Sequence, residues 1–173
     1  MSVNRAWAAV VLALCLSGAT SAAAADQVIF VVRHAERADA GASAGGMTGA
    51  NDPPLSAAGT ERAKRLAVML ASADVAHVFT TEFQRTRDTA GPLAEKAGIK
   101  PVVVSSKDPG TLLRQAREAR GNILIVGHSN TVPEVLKQLG VTTAVSIADN
   151  EYDNLFVVVR PAAGDPTLIR LRY

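Results

Sequence analysis

Two histidines and two arginines follow short apolar runs in this chain, and their types suit chemistry on an anion. Arg33 and His34 come directly after the apolar run at residues 28–32, and His128 follows the run at residues 123–126. Continuous apolar runs of this length are typical of strands that are buried on both faces. In open α/β sheets, ligands bind just beyond the carboxyl ends of the strands. A histidine beside a fixed cation suits a phosphate, because Arg33 would repel a divalent metal ion.

Another short expected strand, Val75–Thr80, leads into Thr81 and Arg85. If the three strands are neighbours, Arg33, His34, Arg85 and His128 converge on one pocket. The planar guanidinium of arginine can donate two hydrogen bonds to a phosphoryl group. One of the histidines could then attack phosphorus through a ring nitrogen and form a phosphohistidine. The arginines would supply the positive field that phosphoryl transfer needs, so the pattern predicts no metal ion and no cofactor.

Strand-like and helix-like segments alternate through most of the chain. The expected strands are residues 28–32, 75–80, 101–104, 123–126, 141–147, 155–160 and 167–172, the last two as a hairpin. The expected helices begin at Ser56, cover residues 83–97 with a bend or break at Gly91-Pro92, run from Asp108 to about Arg120, and cover residues 133–139. This alternation favours an α/β fold, with a mainly parallel sheet and helices on both faces.

The first 25 residues have the order of a secretory signal peptide. One positive charge precedes the apolar stretch 6–16, and small residues follow to Ala25. We therefore expect residues 26–173 to form one exported domain, periplasmic or secreted, without the single cysteine, Cys15. A net charge of +2 gives no general reason to bind nucleic acid, and the apolar stretch is too short to span a membrane. Residues 38–52, rich in Gly, Ala and Ser, predict a loop that serves as a lid or is a tolerated insertion.

Four motifs in order resemble the histidine phosphatase (phosphoglycerate-mutase-like) superfamily, branch 1. Arg33-His34-Ala35 matches Arg-His-Gly/Ala after the first strand, and Leu-Ser-Ala-Ala-Gly-Thr-Glu-Arg-Ala at 55–63 resembles Leu-Ser/Thr-x-x-Gly-x-x-Gln/Arg-Ala. Thr-Glu-Phe-Gln-Arg-Thr-Arg-Asp-Thr-Ala at 81–90 resembles Ser-Pro-x-x-Arg-Ala/Thr-x-x-Thr-Ala. Gly-His-Ser at 127–129 resembles the second-histidine motif. The resemblance covers residues 28–130, and the combination is specific where each motif alone would be weak.

The resemblance implies a three-layer α/β/α sandwich with a mostly parallel central sheet. It implies that His34 is the nucleophile that becomes phosphorylated, while Arg33, Arg85 and His128 form the phosphate pocket. The implied activity is that of a metal-independent phosphomonoesterase acting on a small phosphorylated substrate. His77 lacks the context of the other two histidines, and we interpret it as incidental.

The general acid is the position on which the resemblance is least decisive. Many relatives carry a Glu or Asp on the loop after the strand that follows the second arginine, and Asp108 fits that place. Asp108 before Pro109 is equally an ordinary helix cap. Glu82, which stands where relatives usually carry Pro or Ala, and Glu36 are alternative acids. Ser129 argues against the branch that carries an Asp directly after the second histidine.

Two other functions fit the same residues. A binding protein would hold a phosphorylated ligand without turnover, but anion binding alone does not require both His34 and His128. A phosphoglycerate-mutase-like phosphotransferase is disfavoured by export, because its substrates are mostly cytoplasmic. The polar residues 147–154 are expected at the rim of the pocket, with no assigned role. The sequence carries no signature of a particular sugar, lipid or peptide substrate, or of an oligomeric state.

Overall fold

The computed structural model describes residues 26–38 and 52–173. The predicted signal peptide at residues 1–25 lies outside the described residues, as does nearly all of the predicted loop at 38–52. Six strands and four helices follow one another within the described ranges. They are β1 Gln27–Arg33, α1 Ala57–Met69, β2 Val75–Thr80, α2 Gln84–Ala97, β3 Val102–Val103, α3 Pro109–Glu118, β4 Asn122–Gly127, α4 Thr131–Gln138, β5 Asn154–Arg160 and β6 Thr167–Arg172.

The strands form one mixed, mostly parallel sheet in the order β3-β2-β4-β1-β5-β6. β1 pairs in parallel with β4, β4 with β2, and β2 with β3, whereas β5 and β6 add an antiparallel hairpin to the other side of β1. β4 therefore lies between β1 and β2. The three strands that were expected to be neighbours are neighbours, which confirms the premise of the predicted pocket.

Helices cover both faces of the sheet, so the fold is the expected three-layer α/β/α sandwich. One apolar cluster joins α1 and α2 to the sheet through Leu66, Leu93 and Val126. The other joins α3 and α4 to the opposite face through Leu113, Leu136 and Ile125. The central strands read as unbroken apolar runs because side chains on both of their faces are buried in these two layers.

The start of α1 shows why the chain needs a serine and a glycine there. The Ser56 hydroxyl accepts a hydrogen bond from the backbone N–H of Gly59 at 3.1 Å, so Ser56 caps the helix as predicted. A Cβ atom on Gly59 would lie 2.2 Å from the backbone oxygen of Glu36. The glycine therefore lets the first turn of α1 pack directly against the segment that follows His34.

One expected strand is absent, and the interruption that the sequence allowed in α2 does not occur. Residues 141–147 form no strand, because Val141 donates its N–H to the end of α4, at Leu136, and the segment goes on to a turn that contacts Arg33. Its apolar side chains still pack on the core. α2 continues through Pro92 without a break. A proline removes only one helical hydrogen bond, and the buried residues beside it, Ala90 and Leu93, keep the helix on the sheet.

No helix within residues 26–38 and 52–173 is long and apolar enough to cross a membrane. The predicted hairpin of β5 and β6 is confirmed, and Gly98 ends α2 in the left-handed conformation. The third strand is shorter than predicted, with two residues only.

Candidate active site

The carboxyl ends of β1 and β4 bring the two histidines together. Arg33 and Gly127 are paired across the two parallel strands, and each is followed by a histidine. The backbone N–H of His34 donates to the carbonyl of Gly127 at 2.9 Å, which extends the strand pairing to the first histidine. The His34 and His128 rings lie 5.3 Å apart between centroids and meet edge to face. Both side chains are buried.

Arg33 is held in a cradle formed by the turn before β5. Its Nη1 donates to the carbonyl oxygens of Ala148, Asp149 and Glu151 at 3.0 to 3.1 Å, and its guanidinium lies 4.0 Å from the ring centroid of Tyr152. Its buried Nε has no hydrogen-bond partner in the described part of the chain. The polar segment to which the sequence assigned no role therefore positions Arg33, and leaves Nε for a ligand.

Arg85 reaches the same site from the first turn of α2. Its guanidinium stacks 4.1 Å from the ring centroid of Phe83, and its Nη1 lies 3.5 Å from a carboxylate oxygen of Asp52. Asp52 also accepts the backbone N–H of Gln84 at 2.7 to 2.8 Å, at the N-terminus of α2. The Arg85 side chain is 11% exposed. An anion in the site would meet a poorly hydrated guanidinium, whose interaction with charge is stronger than in water.

The hydrogen bonds of His34 determine its tautomer. Its Nδ1 lies 2.7 Å from the carbonyl oxygen of Ala35, which can only accept, so Nδ1 carries the proton and Nε2 carries the lone pair. Burial lowers the pKa of His34 to about 3; the hydrogen bond to Ala35 opposes this, and His128, Arg85 and Arg33 add to it. At neutral pH the ring is therefore uncharged, and the lone pair on its Nε2 could act as a nucleophile.

His128 is also uncharged at neutral pH. Burial lowers its pKa to about 4, with Arg85 acting in the same direction and Glu82 against it. Its Nε2 lies 3.1 Å from the hydroxyl oxygen of Thr81, and its ring meets Phe83 edge to face at 5.3 Å. The backbone N–H of His128 donates to the hydroxyl of Thr131 at 2.9 Å, so both ends of this residue are fixed.

Three buried threonines support these side chains; the sequence placed Thr81 near the site without a role and did not single out Thr86 or Thr89. Thr89 accepts the backbone N–H of Ala35 at 2.9 Å and donates to the carbonyl of Arg85 at 2.7 Å, which ties the first histidine segment to α2. Thr81 and Thr86 form a hydroxyl pair at 3.0 Å beside His128. All three positions lie within the motif at residues 81–90, and buried hydroxyls at a helix start were the available signal.

These side chains surround a cavity of about 670 Å³ that is open on one side. Its lining comprises Arg33, His34, Arg37, Phe83, Arg85, Ser106, Lys107, His128, Ser129, Asn130, Thr131, Asp149 and Tyr152. The lining contains three arginines and one lysine but only one carboxylate, that of Asp149. The structure thus brings together the four residues that the sequence predicted for a phosphate pocket, and the cavity has a net positive charge.

The three candidate acids lie outside this lining. Asp108 accepts the backbone N–H of Thr111 at 3.0 Å as the cap of α3, and this bond lowers the pKa of its exposed carboxylate. No contact in the described residues supports a role for Asp108 as general acid, which stays a prediction. Of the two alternatives the sequence left for this residue, the structure places it in the helix cap.

Glu36 and Glu82 are engaged elsewhere. Glu36 makes a two-pronged ion pair with Arg62, with N–O distances of 2.6 to 3.0 Å. Burial raises the pKa of Glu36, but the hydrogen bonds and charge of Arg62, together with the backbone N–H of Glu36 itself, bring it below its ordinary value. Glu82 accepts the backbone N–H and the hydroxyl of Ser106 at 2.7 and 2.8 Å. Both carboxylates hold neighbouring segments in place.

Within residues 26–38 and 52–173, no group of three or more His, Cys, Asp or Glu side chains is arranged to hold a metal ion. The donors that converge on the cavity are two neutral imidazoles and several cations. This donor set suits an oxyanion, because a divalent cation would be repelled by the arginines.

Comparisons with known proteins agree with the geometry. The model of the histidine phosphatase superfamily (branch 1) matches residues 29–107. The chain is similar to the solved structure of the protein histidine phosphatase SixA with tungstate, at 15% identity and a TM-score of 0.63; the match covers 84% of this chain and 96% of that one. It is also similar to a mycobacterial glucosyl-3-phosphoglycerate phosphatase with VO3, at 13% identity and a TM-score of 0.63; this match covers 84% of this chain and 98% of that one. A third similar structure is phosphoglycerate mutase from Bacillus anthracis, at 15% identity and a TM-score of 0.64, with 86% of this chain and 94% of that one covered. No curated protein sequence matches the chain.

Proposed function

We propose, from the match of the histidine phosphatase superfamily model to residues 29–107, that the chain is a phosphomonoester hydrolase of this superfamily that acts through a phosphohistidine on His34. The observation that carries the proposal is the neutral His34 ring. Its Nδ1 is held by a carbonyl and its Nε2 carries a lone pair, in a cavity that also contains Arg33, Arg85 and His128. A site for anion binding alone would not need an uncharged nucleophile among its cations.

In the first step, Nε2 of His34 attacks phosphorus. A nitrogen–phosphorus bond forms while the bond from phosphorus to the ester oxygen breaks, and the leaving oxygen takes up a proton from solvent to become an alcohol. Water then attacks the phosphohistidine and gives up a proton to solvent, the nitrogen–phosphorus bond breaks, and its electron pair returns to Nε2. Phosphate leaves with the oxygen of the water. Splitting one displacement into two is the usual gain from covalent catalysis.

The arginines stabilise the phosphoryl oxygens during both steps. Arg33 offers its unpartnered Nε, and its cradle of carbonyls fixes the direction of the fork. Arg85 lies on Phe83 and approaches from the first turn of α2, beyond the end of β2. Because these cations are preorganised and poorly hydrated, they can do the work that metal ions do in other phosphoryl-transfer enzymes. We therefore propose that the reaction needs no metal ion, and that the substrate is a small phosphorylated compound.

The rival activity is that of a phosphotransferase of the mutase type, since a phosphoglycerate mutase has the same fold at a TM-score of 0.64. It would return the phosphoryl group to a second hydroxyl of the bound substrate instead of to water. A binding protein without turnover is the other rival. Release of inorganic phosphate separates hydrolysis from both.

We propose further that the protein is exported, with the first 25 residues removed as a signal peptide. The support is the order of charge, apolar stretch and small residues at the start of the sequence. Mass spectrometry of the protein recovered from the cell envelope or the medium measures its N-terminus. We expect a start near Asp26, and an intact Met1 would overturn export by this route.

The experiment for activity is hydrolysis of para-nitrophenyl phosphate by residues 26–173 with excess chelator present, for the wild type, His34→Ala and the control His77→Ala. His77 is half-buried on β2 and does not line the cavity. We expect turnover in the wild type and the control, and loss of nearly all turnover in His34→Ala. Activity that requires a metal ion, or that survives in His34→Ala, contradicts the mechanism. Phosphate binding with no turnover in any variant would favour the binding protein.

A further inference from the structure

We infer that Thr81 and Thr86 are positioning residues that hold His128 as the tautomer protonated on Nε2, so that its Nδ1 is the ring nitrogen available to a substrate. The observation is a chain of buried contacts. The Thr81 hydroxyl lies 3.1 Å from Nε2 of His128 and 3.0 Å from the Thr86 hydroxyl, and both threonines are at most 7% exposed. Neither threonine is otherwise assigned a part in the chemistry.

The hydroxyl hydrogen of Thr86 determines which group donates in each of these hydrogen bonds. Its hydroxyl lies 2.7 Å from the carbonyl oxygen of Phe83, and 3.1 Å from the carbonyl oxygen of Thr81. Carbonyl oxygens only accept, and a hydroxyl has one hydrogen, so the hydrogen of Thr86 goes to the closer carbonyl. Toward Thr81 the oxygen of Thr86 is then an acceptor.

The Thr86 oxygen accepts the backbone N–H of Thr81 at 3.2 Å and has one lone pair left. Two hydroxyl oxygens at 3.0 Å share a hydrogen, and because that of Thr86 is directed to Phe83, we infer that Thr81 donates its own hydrogen to Thr86. What remains on the Thr81 oxygen is two lone pairs, and two groups approach them: the N–H of Phe83 at 3.4 Å and Nε2 of His128 at 3.1 Å. An oxygen with only lone pairs left requires a hydrogen on Nε2 of His128. In a neutral imidazole the other nitrogen, Nδ1, then carries the lone pair.

The two active-site histidines are thereby fixed in opposite tautomers. His34 carries its hydrogen on Nδ1, held by Ala35, and presents Nε2 as the nucleophile. His128 carries its hydrogen on Nε2, held by Thr81, and presents Nδ1. Nδ1 can then take up a proton from solvent when a phosphate dianion arrives and donate it to a phosphoryl oxygen. The catalytic consequence rests on the proposed function, whereas the tautomer itself does not.

Nitrogen-15 NMR of the histidine rings tests the tautomer in the free protein at pH 7. Long-range nitrogen–proton correlations distinguish a protonated from an unprotonated ring nitrogen, and the His128→Gln variant assigns the signals of His128 by their loss. We expect His128 with Nε2 protonated and His34 with Nδ1 protonated. A wild-type His128 with Nδ1 protonated would overturn the inference whatever the activity of the protein.

Variants then test the hydroxyl chain. Thr81→Val should release the second tautomer of His128, Thr86→Val should weaken the preference, and Thr81→Ser should retain it. Thr80→Val is the matched control, because Thr80 is the adjacent residue, fully buried, and its hydroxyl has no partner in the described residues. An unchanged His128 tautomer in both valine variants at 81 and 86 would refute the role of the chain.

The kinetic readout separates this inference from the proposed function. If hydrolysis occurs, kcat for para-nitrophenyl phosphate should fall on the order of tenfold in Thr81→Val and recover in Thr81→Ser, since a hydroxyl that orients an acid–base group supplies part of its effect. Wild-type kcat in a Thr81→Val protein whose tautomer has changed contradicts the catalytic consequence. Absence of turnover in the wild type, with the expected tautomers present, removes the proposed function and leaves the tautomer assignment standing.

Discussion

The two buried neutral histidines predict that folding stability falls as the pH is lowered from 8 to 5. The pKa of His34 is about 3 in the folded protein against an ordinary value of 6.5, so the unfolded chain binds the proton first. The stabilisation is therefore complete above pH 6.5 and is lost as the pH falls toward 3. A pH of 5 lies about 1.5 units below the ordinary pKa of 6.5 that His34 has in the unfolded chain. At about 1.36 kcal/mol per unit, the free energy of unfolding is then lower by about 2 kcal/mol than at pH 8. His128 adds no more than about the same again, because its ring keeps more contact with water.

Urea unfolding at pH 8, 7, 6 and 5 measures this loss. The range ends at pH 5 because the pKa of Glu36 is lowered from 4.5, so its stabilising effect is lost mainly at lower pH. His34→Asn keeps an N–H near the position of Nδ1 and removes the titrating ring, and His77→Gln controls for loss of an imidazole outside the cavity. We expect the free energy of unfolding to fall by about 2 to 4 kcal/mol in the wild type and by about 2 kcal/mol less in His34→Asn. A flat wild-type profile, or an undiminished slope in His34→Asn, would refute the reasoning.

Three further predictions concern packing, an ion pair and rate. Gly59→Ala should lower the free energy of unfolding in urea by about 1–3 kcal/mol or more, because the added Cβ would meet the backbone of Glu36. The control Gly91→Ala places a Cβ in open space on α2, and it should be neutral or stabilise by up to about 1 kcal/mol. Glu36→Gln should lower the free energy of unfolding by about 1–3 kcal/mol, because it removes the half-buried ion pair with Arg62. The rate of para-nitrophenyl phosphate hydrolysis should stay within about twofold of the wild type, and a large loss would make Glu36 a candidate catalytic residue again. Arg85→Ala should lower the steady-state rate on the order of 10²–10³ with stability little changed, and a wild-type rate would exclude Arg85 from phosphate stabilisation.

The strand ends and the four pocket residues were predictable because their signals are local. A continuous apolar run followed by a polar residue marks both the strand and the place where ligands bind. Convergence, in contrast, depended on the strand order, and β4 lies between β1 and β2 although it follows both in the chain. The family resemblance implied that the pocket residues converge, but it gave no strand order, and no single segment encodes that order.

The support of Arg33 could not be predicted from the sequence. Its carbonyl partners lie 115 to 118 residues away, and a backbone carbonyl is present at every residue, so no residue type marks it. The same contacts explain the missing strand at residues 141–147. Its β-branched residues favour a strand, but its end is needed to deliver the carbonyls of Ala148 and Asp149 to Arg33, and tertiary contacts override the local preference.

The sequence position of Asp108 suggests a general acid, whereas the structure shows a helix cap, and one substitution distinguishes the two roles. Asparagine caps helices about as well as aspartate, so Asp108→Asn should keep α3 and change stability by less than about 0.5 kcal/mol. It removes the only group that could donate a proton to a leaving alcohol from this position. Because the carboxylate lies outside the cavity lining and its pKa is lowered by Thr111, we expect unchanged rates for para-nitrophenyl phosphate and for an alkyl phosphate. A loss confined to the alkyl phosphate, whose leaving group needs the proton, would assign the general acid to Asp108 and would require the start of α3 to approach His128 when substrate binds.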